Sequence, residues 1–179
     1  MNKCNKIFTV YTRLLKKHSL VVQSIQTGLI MGIGDLAAQT VIENKPLEKV
    51  ELLRTAQFVA LGTGLVGPIL TAWYKFLSKT IGDTGKAAVL KKVAADQLIF
   101  APNFIVVFIT TLNMLQGKNL ENVKKELSSK YKDILITNYK VWPAVQILNF
   151  YLVPLHYQVL FVQTVAVFWN AYMSWKTQQ

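Results

Sequence analysis

Residues 141–175 read VWPAVQILNFYLVPLHYQVLFVQTVAVFWNAYMSW, a run of thirty-five positions without one Asp, Glu, Lys or Arg. A single helix of that length would be about 52 Å long, well beyond a hydrocarbon core of roughly 30 Å. Two prolines punctuate it. Pro143 suits the first turn of a helix, and Pro154 marks a kink or break, because a proline N has no hydrogen to give to a helical ladder. Between them Trp142, Gln146, Asn149 and Val153 recur at i, i+4, i+7 and i+11, so a helix there carries both amides on one face. Surrounded by lipid those amides need protein partners, since no water is at hand. The stretch is read as membrane-embedded, with one polar side.

The rest of the chain agrees. Of 179 residues 52% are hydrophobic, only 16% are charged, and the mean hydropathy is +0.31. Globular domains run near 25% charged. Three further apolar stretches have the length of a crossing helix, near residues 19–42, 52–77 and 93–116. The expected fold is therefore all-α: one membrane domain over residues 1–179, an integral bundle of about four transmembrane helices, the last stretch broken at proline. Residues 117–140 alternate charged and apolar positions at helical spacing, as an interfacial amphipathic connection that continues into the membrane through Lys140 would.

Residues 1–18 form a basic arm with Lys3, Lys6, Arg13, Lys16 and Lys17 and no acid. Ile7, Val10, Tyr11 and Leu14 recur at helical spacing, so the arm is predicted to be an amphipathic helix of the kind that serves mitochondrial import. A surface helix ahead of the first span explains the same pattern; a secretory signal fits less well, because Gln23, Gln26 and Asp35 interrupt its apolar region. The net charge of +11 comes in bursts between apolar stretches rather than on one face, which argues against direct nucleic-acid binding and for loops facing anionic lipid. With four spans both termini share a side with residues 75–92, and the basic residues favour that side as the inner one.

One cysteine, Cys4, and two histidines, His18 and His156, leave no material for a disulfide or a metal centre. No cofactor and no catalytic group are expected. The GTGLVG at residues 62–67 has dinucleotide-loop spacing, but it lies inside an apolar span with Pro68 next and no βαβ unit around it. Gly64, Gly67 and Pro68 are read instead as close helix contacts, as are Gly28 and Gly32.

Each span also carries a polar or small stripe at heptad-like spacing. The stripes are Gly28, Gly32, Asp35 and Gln39; then Arg54, Gln57, Gly64, Pro68 and Thr71; then Asp96, Asn103 and Thr110; and last His156, Gln163 and Asn170. Four such faces, joined by Gln146, Asn149 and Gln158, imply a shared polar interior. Asp35, Arg54 and Asp96 need each other, water or the interface, since an intramembrane charge costs about 2.5–3.5 kcal/mol. A path for small solutes or ions is one use of such an interior. Non-conducting helix glue in a scaffold or assembly factor is the other.

The stretch NYKVWPAVQILNFYLVPLHYQVLFVQTVAVFWNAYMSWK resembles the C-terminal signature of the Mpv-seventeen family, which includes the twenty-two-kilodalton peroxisomal membrane protein. Trp142, Pro143, Gln146, Asn149, Phe150, Val153, Pro154, Trp169, Tyr172 and Ser174 occupy its signature positions. MGIGDLAAQ, Arg54, GPILTAWYK, LKKVAADQ and FAPNF match in order upstream, so the resemblance spans nearly the whole chain. The wording is nearest to the mitochondrial inner-membrane branch. The resemblance implies a four-helix integral membrane protein, a channel-like role affecting membrane potential, and a link to mitochondrial DNA maintenance and nucleotide supply. The lipid bilayer and small solutes or ions are then its partners, and self-association into a homo-oligomer is compatible with the role. Gln158 stands where the family commonly has Arg, Tyr139 where many members have Trp and Thr71 where many have His, so the polar face here lacks one fixed positive charge.

Overall fold

The computed structural model describes residues 11–15 and 17–178 and contains no strand among them. Five long helices run in sequence: α1 (Ser19–Ile42), α2 (Leu52–Ile81), α3 (Lys86–Leu115), α4 (Leu120–Leu152) and α5 (Leu155–Gln178). Residues 11–15 are also helical, and the Tyr11 hydroxyl donates to Gln26 Oε1 at 2.8 Å. The rest of the predicted arm, residues 1–10 and Lys16, lies outside the described residues.

Polarity runs inward. On α1 the buried residues include Gln23, Ser24, Thr27, Gly28, Gly32 and Asp35, whereas Leu20, Val21, Ile25, Leu29, Ile33 and Leu36 are exposed. A water-soluble bundle would reverse that assignment. In a bilayer the outer apolar row meets lipid, and the inner small and polar row packs and bonds between helices. By length and composition α1, α2 and α3 are each able to cross a membrane. α5, with 24 residues, has the length, but Gln158, Gln163 and Asn170 lower its apolarity. It lies along α1, with further contacts to α4 and α2, and Gln158, Gln163 and Asn170 are buried against those neighbours.

Small residues set how close the helices come. A Cβ on Gly62 would stand 2.7 Å from the Gly28 Cα, and one on Gly67 would stand 2.5 Å from the Ser24 Cα. Backbone thus meets backbone between α1 and α2. Apolar packing fills the remainder around Phe58, Phe108 and Ile109 and, further along, around Tyr74, Leu77, Trp142 and Val162.

The second and third helices each contain one widened turn, Gly62–Val66 and Asp96–Phe100, and α1 ends in another, Ala38–Ile42. Both internal π turns precede a proline, Pro68 or Pro102. A proline ring clashes with the carbonyl four residues back and leaves it without a partner; those carbonyls belong to Gly64 and Leu98, inside the widened turns, so the helix loosens where the proline forces it to. Each extra residue rotates everything beyond it, and this shifts the heptad stripes. Gly64, expected at a helix contact, is exposed with nothing within 4 Å of its Cβ position, and Gly62 takes that contact, while Gly67 packs closely as expected. Asn103, expected inside, is likewise exposed, its amide returned to the Ile99 carbonyl at 2.7 Å.

The apolar stretch 141–175 is divided as its second proline dictates. Val153 is extended, at φ −100° and ψ 123°, the region a residue before proline prefers, and α5 starts immediately after Pro154. Pro143 departs from expectation: it lies within α4, not at a first turn. The helix begins at Leu120, where the Asn119 side chain accepts from the Asn122 N–H at 2.9 Å, so the interfacial connection and the first part of the apolar stretch are one helix of 33 residues, about 50 Å long.

That continuity also changes the topology. With α4 returning between α3 and α5, the described ends of the chain lie at opposite ends of the bundle, not on a shared side. Ser19 Oγ receives Lys75 Nζ at 2.7 Å at one end, whereas Ser174 Oγ receives Arg54 Nη2 at 2.8 Å at the other.

Candidate functional site

Two buried polar assemblies occupy the bundle, and they differ in charge balance. The first closes the end formed by the C-terminus of α1, the N-terminus of α2 and the C-terminus of α5. Asp35 is fully buried. Its Oδ1 accepts from Arg54 Nε at 2.7 Å and from the Ser174 hydroxyl, and its Oδ2 accepts from Gln39 Nε2 at 2.8 Å and Thr55 Oγ1 at 2.6 Å. Four donors saturate a carboxylate. The guanidinium then forks onto Glu43, Nη1 to Oε2 at 3.0 Å and Nη2 to Oε1 at 2.6 Å, the bidentate geometry that makes such pairs strong. Lys45 lies 3.0 Å from Glu43 and 2.6 Å from Glu51. The Arg54 hydrogen bonds hold the Glu43 carboxyl below its ordinary value of 4.5, and Glu51, then Glu43, raise Lys45 above 10.5. Gln39 Oε1 accepts the Glu51 N–H at 2.8 Å and so ties the loop to α1. Every charge here has a counter-charge, and the assembly acts as a clamp.

The second assembly is not neutralised. Asp96, 3% exposed, accepts Trp73 Nε1 at 2.9 Å on Oδ1, and Gln97 Nε2 at 2.8 Å and Gln146 Nε2 at 3.1 Å on Oδ2. Gln146 also donates to the Tyr74 hydroxyl at 2.8 Å. Asn138 donates to Gln97 Oε1, and Asn149 to Gln146 Oε1, both at 3.0 Å. All of these donors are neutral, and no described ion pair includes Asp96. Lys92, one turn away on α3, is instead engaged by Asp83 at 2.6 Å.

Asp96 opens on a cavity to which all five helices contribute, with about 90 Å³ open to water-sized molecules. Its polar lining is Thr27, Asp96, Gln97, Asn138, Gln146, Gln163 and Asn170; Gln163 Nε2 donates to Thr27 Oγ1. Tyr74 separates this cavity from a second one at the opposite end from the clamp, lined by Ser19, Gln23, Thr71, Lys75 and His156. There Thr71 Oγ1 donates to Gln23 Oε1 at 2.6 Å.

Of the residues singled out in the sequence, Asp96, Gln146, Gln163 and Asn170 therefore meet at one cavity, with Asn149 bonded behind Gln146. Asp35, Gln39 and Arg54 meet in the clamp. His156 lies in the outer cavity, half-buried against the Tyr157 ring. Gln158 is buried at the α4–α5 junction, donating to the Val153 carbonyl at 3.0 Å, and Gln57 holds the Leu115 carbonyl at 3.0 Å; neither reaches the cavity. Trp142 packs edge-on against Trp169, ring centroids 5.7 Å apart. The stripes did not nominate Thr27, Trp73, Tyr74, Gln97 or Asn138. Asn138 is legible in the sequence, since it continues the Trp142–Gln146 face four residues upstream, ahead of the apolar run that begins at Val141.

The pattern of the Mpv17 / PMP22 family matches residues 113–174, the end of α3 through most of α5. The chain is 43% identical to the mitochondrial inner membrane protein Mpv17 of Mus musculus over 173 residues, 97% of this chain and 98% of the relative. It is 42% identical to the protein of the same name from Danio rerio, over 94% of this chain and 96% of the relative. With Protein sym-1 of Neurospora crassa it shares 40% identity, over 94% and 98%. No solved structure matches. An all-helical bundle with its polar face inward, and identity of this order over almost the full length, make the chain a protein of the mitochondrial inner membrane that belongs to the Mpv17 / PMP22 family.

Proposed function

We propose that the protein is a channel of the inner membrane, not an enzyme, and that small solutes or ions pass through the interior of its bundle. The observation that carries this reading is the cavity around Asp96: a buried carboxylate without a cation, facing a space lined by amides from three helices. A group that costs several kcal/mol to desolvate is retained in a membrane interior where it serves a path. In this reading the described conformation is closed, by Tyr74 with Gln146 at one end and by the Arg54 clamp at the other. Opening would change membrane potential and solute balance. Nucleotide precursors are among the solutes suggested by the resemblance noted above, which would link the protein to upkeep of mitochondrial DNA.

The test is solute release from tight liposomes containing the purified protein. Release above that of empty vesicles, reduced by Asp96→Asn, is expected; release no faster than from empty vesicles with correctly inserted protein would sink the proposal. A second reading, a non-conducting scaffold, is favoured by the saturated clamp and the glycine contacts of α1 with α2. It requires Asp96→Asn to leave function intact and Gly32→Leu to abolish it by disrupting packing.

A further inference from the structure

Asp35 and Asp96 have the same chemistry and comparable burial, and only one has a positive partner. Arg54 neutralises Asp35 at 2.7 Å. Around Asp96 the donors are an indole and two amides, which satisfy lone pairs and leave the charge. A lone carboxylate in a low-dielectric interior is unfavourable by several kcal/mol, so a cation arriving in the cavity would be strongly favoured.

The surroundings select which cation. The amide oxygens nearest Asp96 are already committed, Gln97 Oε1 to Asn138 and Gln146 Oε1 to Asn149. A metal ion replaces its water with a shell of several oxygens gathered at one point, whereas the other polar lining residues, Thr27, Asn138, Gln163 and Asn170, are spread over three other helices, with Thr27 Oγ1 already bonded to Gln163. What the cavity has in quantity is aromatic surface: Tyr74, Phe100, Phe104, Phe108, Trp142 and Trp169 line it. Ring faces attract cations that shed water easily, by about 0.5–2 kcal/mol each. The space, about 90 Å³ open to water-sized molecules, has room for several waters and not for a nucleotide.

We infer that the cavity at Asp96 is a binding site for a small organic monocation, an alkylammonium group whose charge meets the carboxylate and whose apolar body meets the rings. This deepens the channel reading and rests on its premise that solutes reach the cavity; it identifies a class of cargo or blocker for that site.

Binding can be read without flux. The protein in detergent micelles is titrated with tetramethylammonium chloride, with methylammonium chloride and, at matched ionic strength, with potassium chloride. Intrinsic fluorescence is informative because two of the four tryptophans line the cavity. A saturable fluorescence change and a raised Tm are expected with the organic cations, with a Kd in the millimolar range that suits so few atoms, and neither with potassium. Asp96→Asn should remove the response. Ala166→Leu, which fills the cavity from α5 and keeps the carboxylate, should weaken it at least tenfold. Glu48→Gln, exposed on the loop between α1 and α2, should leave it unchanged. An equal response to potassium, no saturation, or a folded Asp96→Asn protein that responds like the parent would each overturn the inference. Should Asp96→Asn fail to fold, an unweakened response in Ala166→Leu overturns it instead. Failure here leaves conduction standing, and absence of flux in liposomes leaves a positive titration standing.

Discussion

Replacing Arg54 with Met tests whether the clamp holds the bundle closed at its Asp35 end. The substitution keeps most of the apolar stem and removes donors to Asp35 Oδ1, to both Glu43 oxygens and to Ser174. Glu43 still has Lys45. Asp35 has no exposure and no other cation, so it becomes a buried unpaired charge. Breaking a buried pair from one side costs about 3–5 kcal/mol. The Ser174, Gln39 and Thr55 donors remain, which places the expected loss at the lower end, about 3 kcal/mol, or roughly two decades in the folded-to-unfolded ratio. Removing the stranded charge as well, in Arg54→Met with Asp35→Asn, should recover most of that loss. The assay is reversible unfolding in mixed micelles as the denaturing detergent fraction rises, followed by circular dichroism. A single variant within about 1 kcal/mol of the parent, the value of an exposed pair, would refute the reasoning, as would a double variant no better than the single one.

Three other perturbations have defined outcomes. Gly62→Ala should separate α1 from α2 and destabilise by about 1–3 kcal/mol through overpacking, whereas Gly64→Ala, with open space around it, should be neutral or slightly stabilising; equal effects on Tm would contradict the assigned contact face. The clamp should also respond to pH. Glu43 titrates below 4.5 in the folded protein, so its contribution is present above pH 4.5 and is lost as pH falls through the lowered folded value; Lys45, raised above 10.5, contributes fully below pH 10.5 and loses its share as pH rises beyond. Glu43→Gln should flatten the acid limb of a Tm-against-pH curve, and an unaltered limb would contradict the assignment. In liposomes Tyr74→Phe removes the hydroxyl that accepts from Gln146, and basal flux should rise about fivefold, the effect of one neutral hydrogen bond near 1 kcal/mol; unchanged or lower flux would remove Tyr74 from the barrier.

How far these features could be read beforehand depended on helix regularity. The α1 stripe of Gly28, Gly32, Asp35 and Gln39 is buried as spaced: the first three precede the terminal π turn, and Gln39 is only its second residue. On α2 and α3 the stripes survive only in part: Arg54, Asp96 and Thr71 are buried, whereas Gln57 turns to the Leu115 carbonyl, Gly64 lies exposed within a π turn and Asn103 lies exposed beyond one. Pro68 and Pro102 were the visible signal, but a proline announces a disturbed turn without saying whether the helix breaks, kinks or widens. The opposite outcomes of Pro143 and Pro154 make the same point: one is carried inside a helix packed through Trp142 on Trp169, and the other ends it. Partnerships across the bundle were the least legible. Nothing in spacing distinguishes Asp35, which finds Arg54, from Asp96, which finds only neutral donors, because that difference arises from which helices meet at each depth.

In the proposed channel the conducting path runs through the interior lined by Asp96 and Gln163, and thiol accessibility tests that path most directly. With Cys4 replaced by Ser, Gln163→Cys places a lone thiol at the cavity, and Phe168→Cys places one on the outer face, where the native ring is 79% exposed. Both proteins are reconstituted in planar bilayers, and a charged, water-soluble thiol reagent is applied. Block of the current in Gln163→Cys with no effect on Phe168→Cys is the predicted result, and current unaffected in Gln163→Cys but blocked in Phe168→Cys would contradict it.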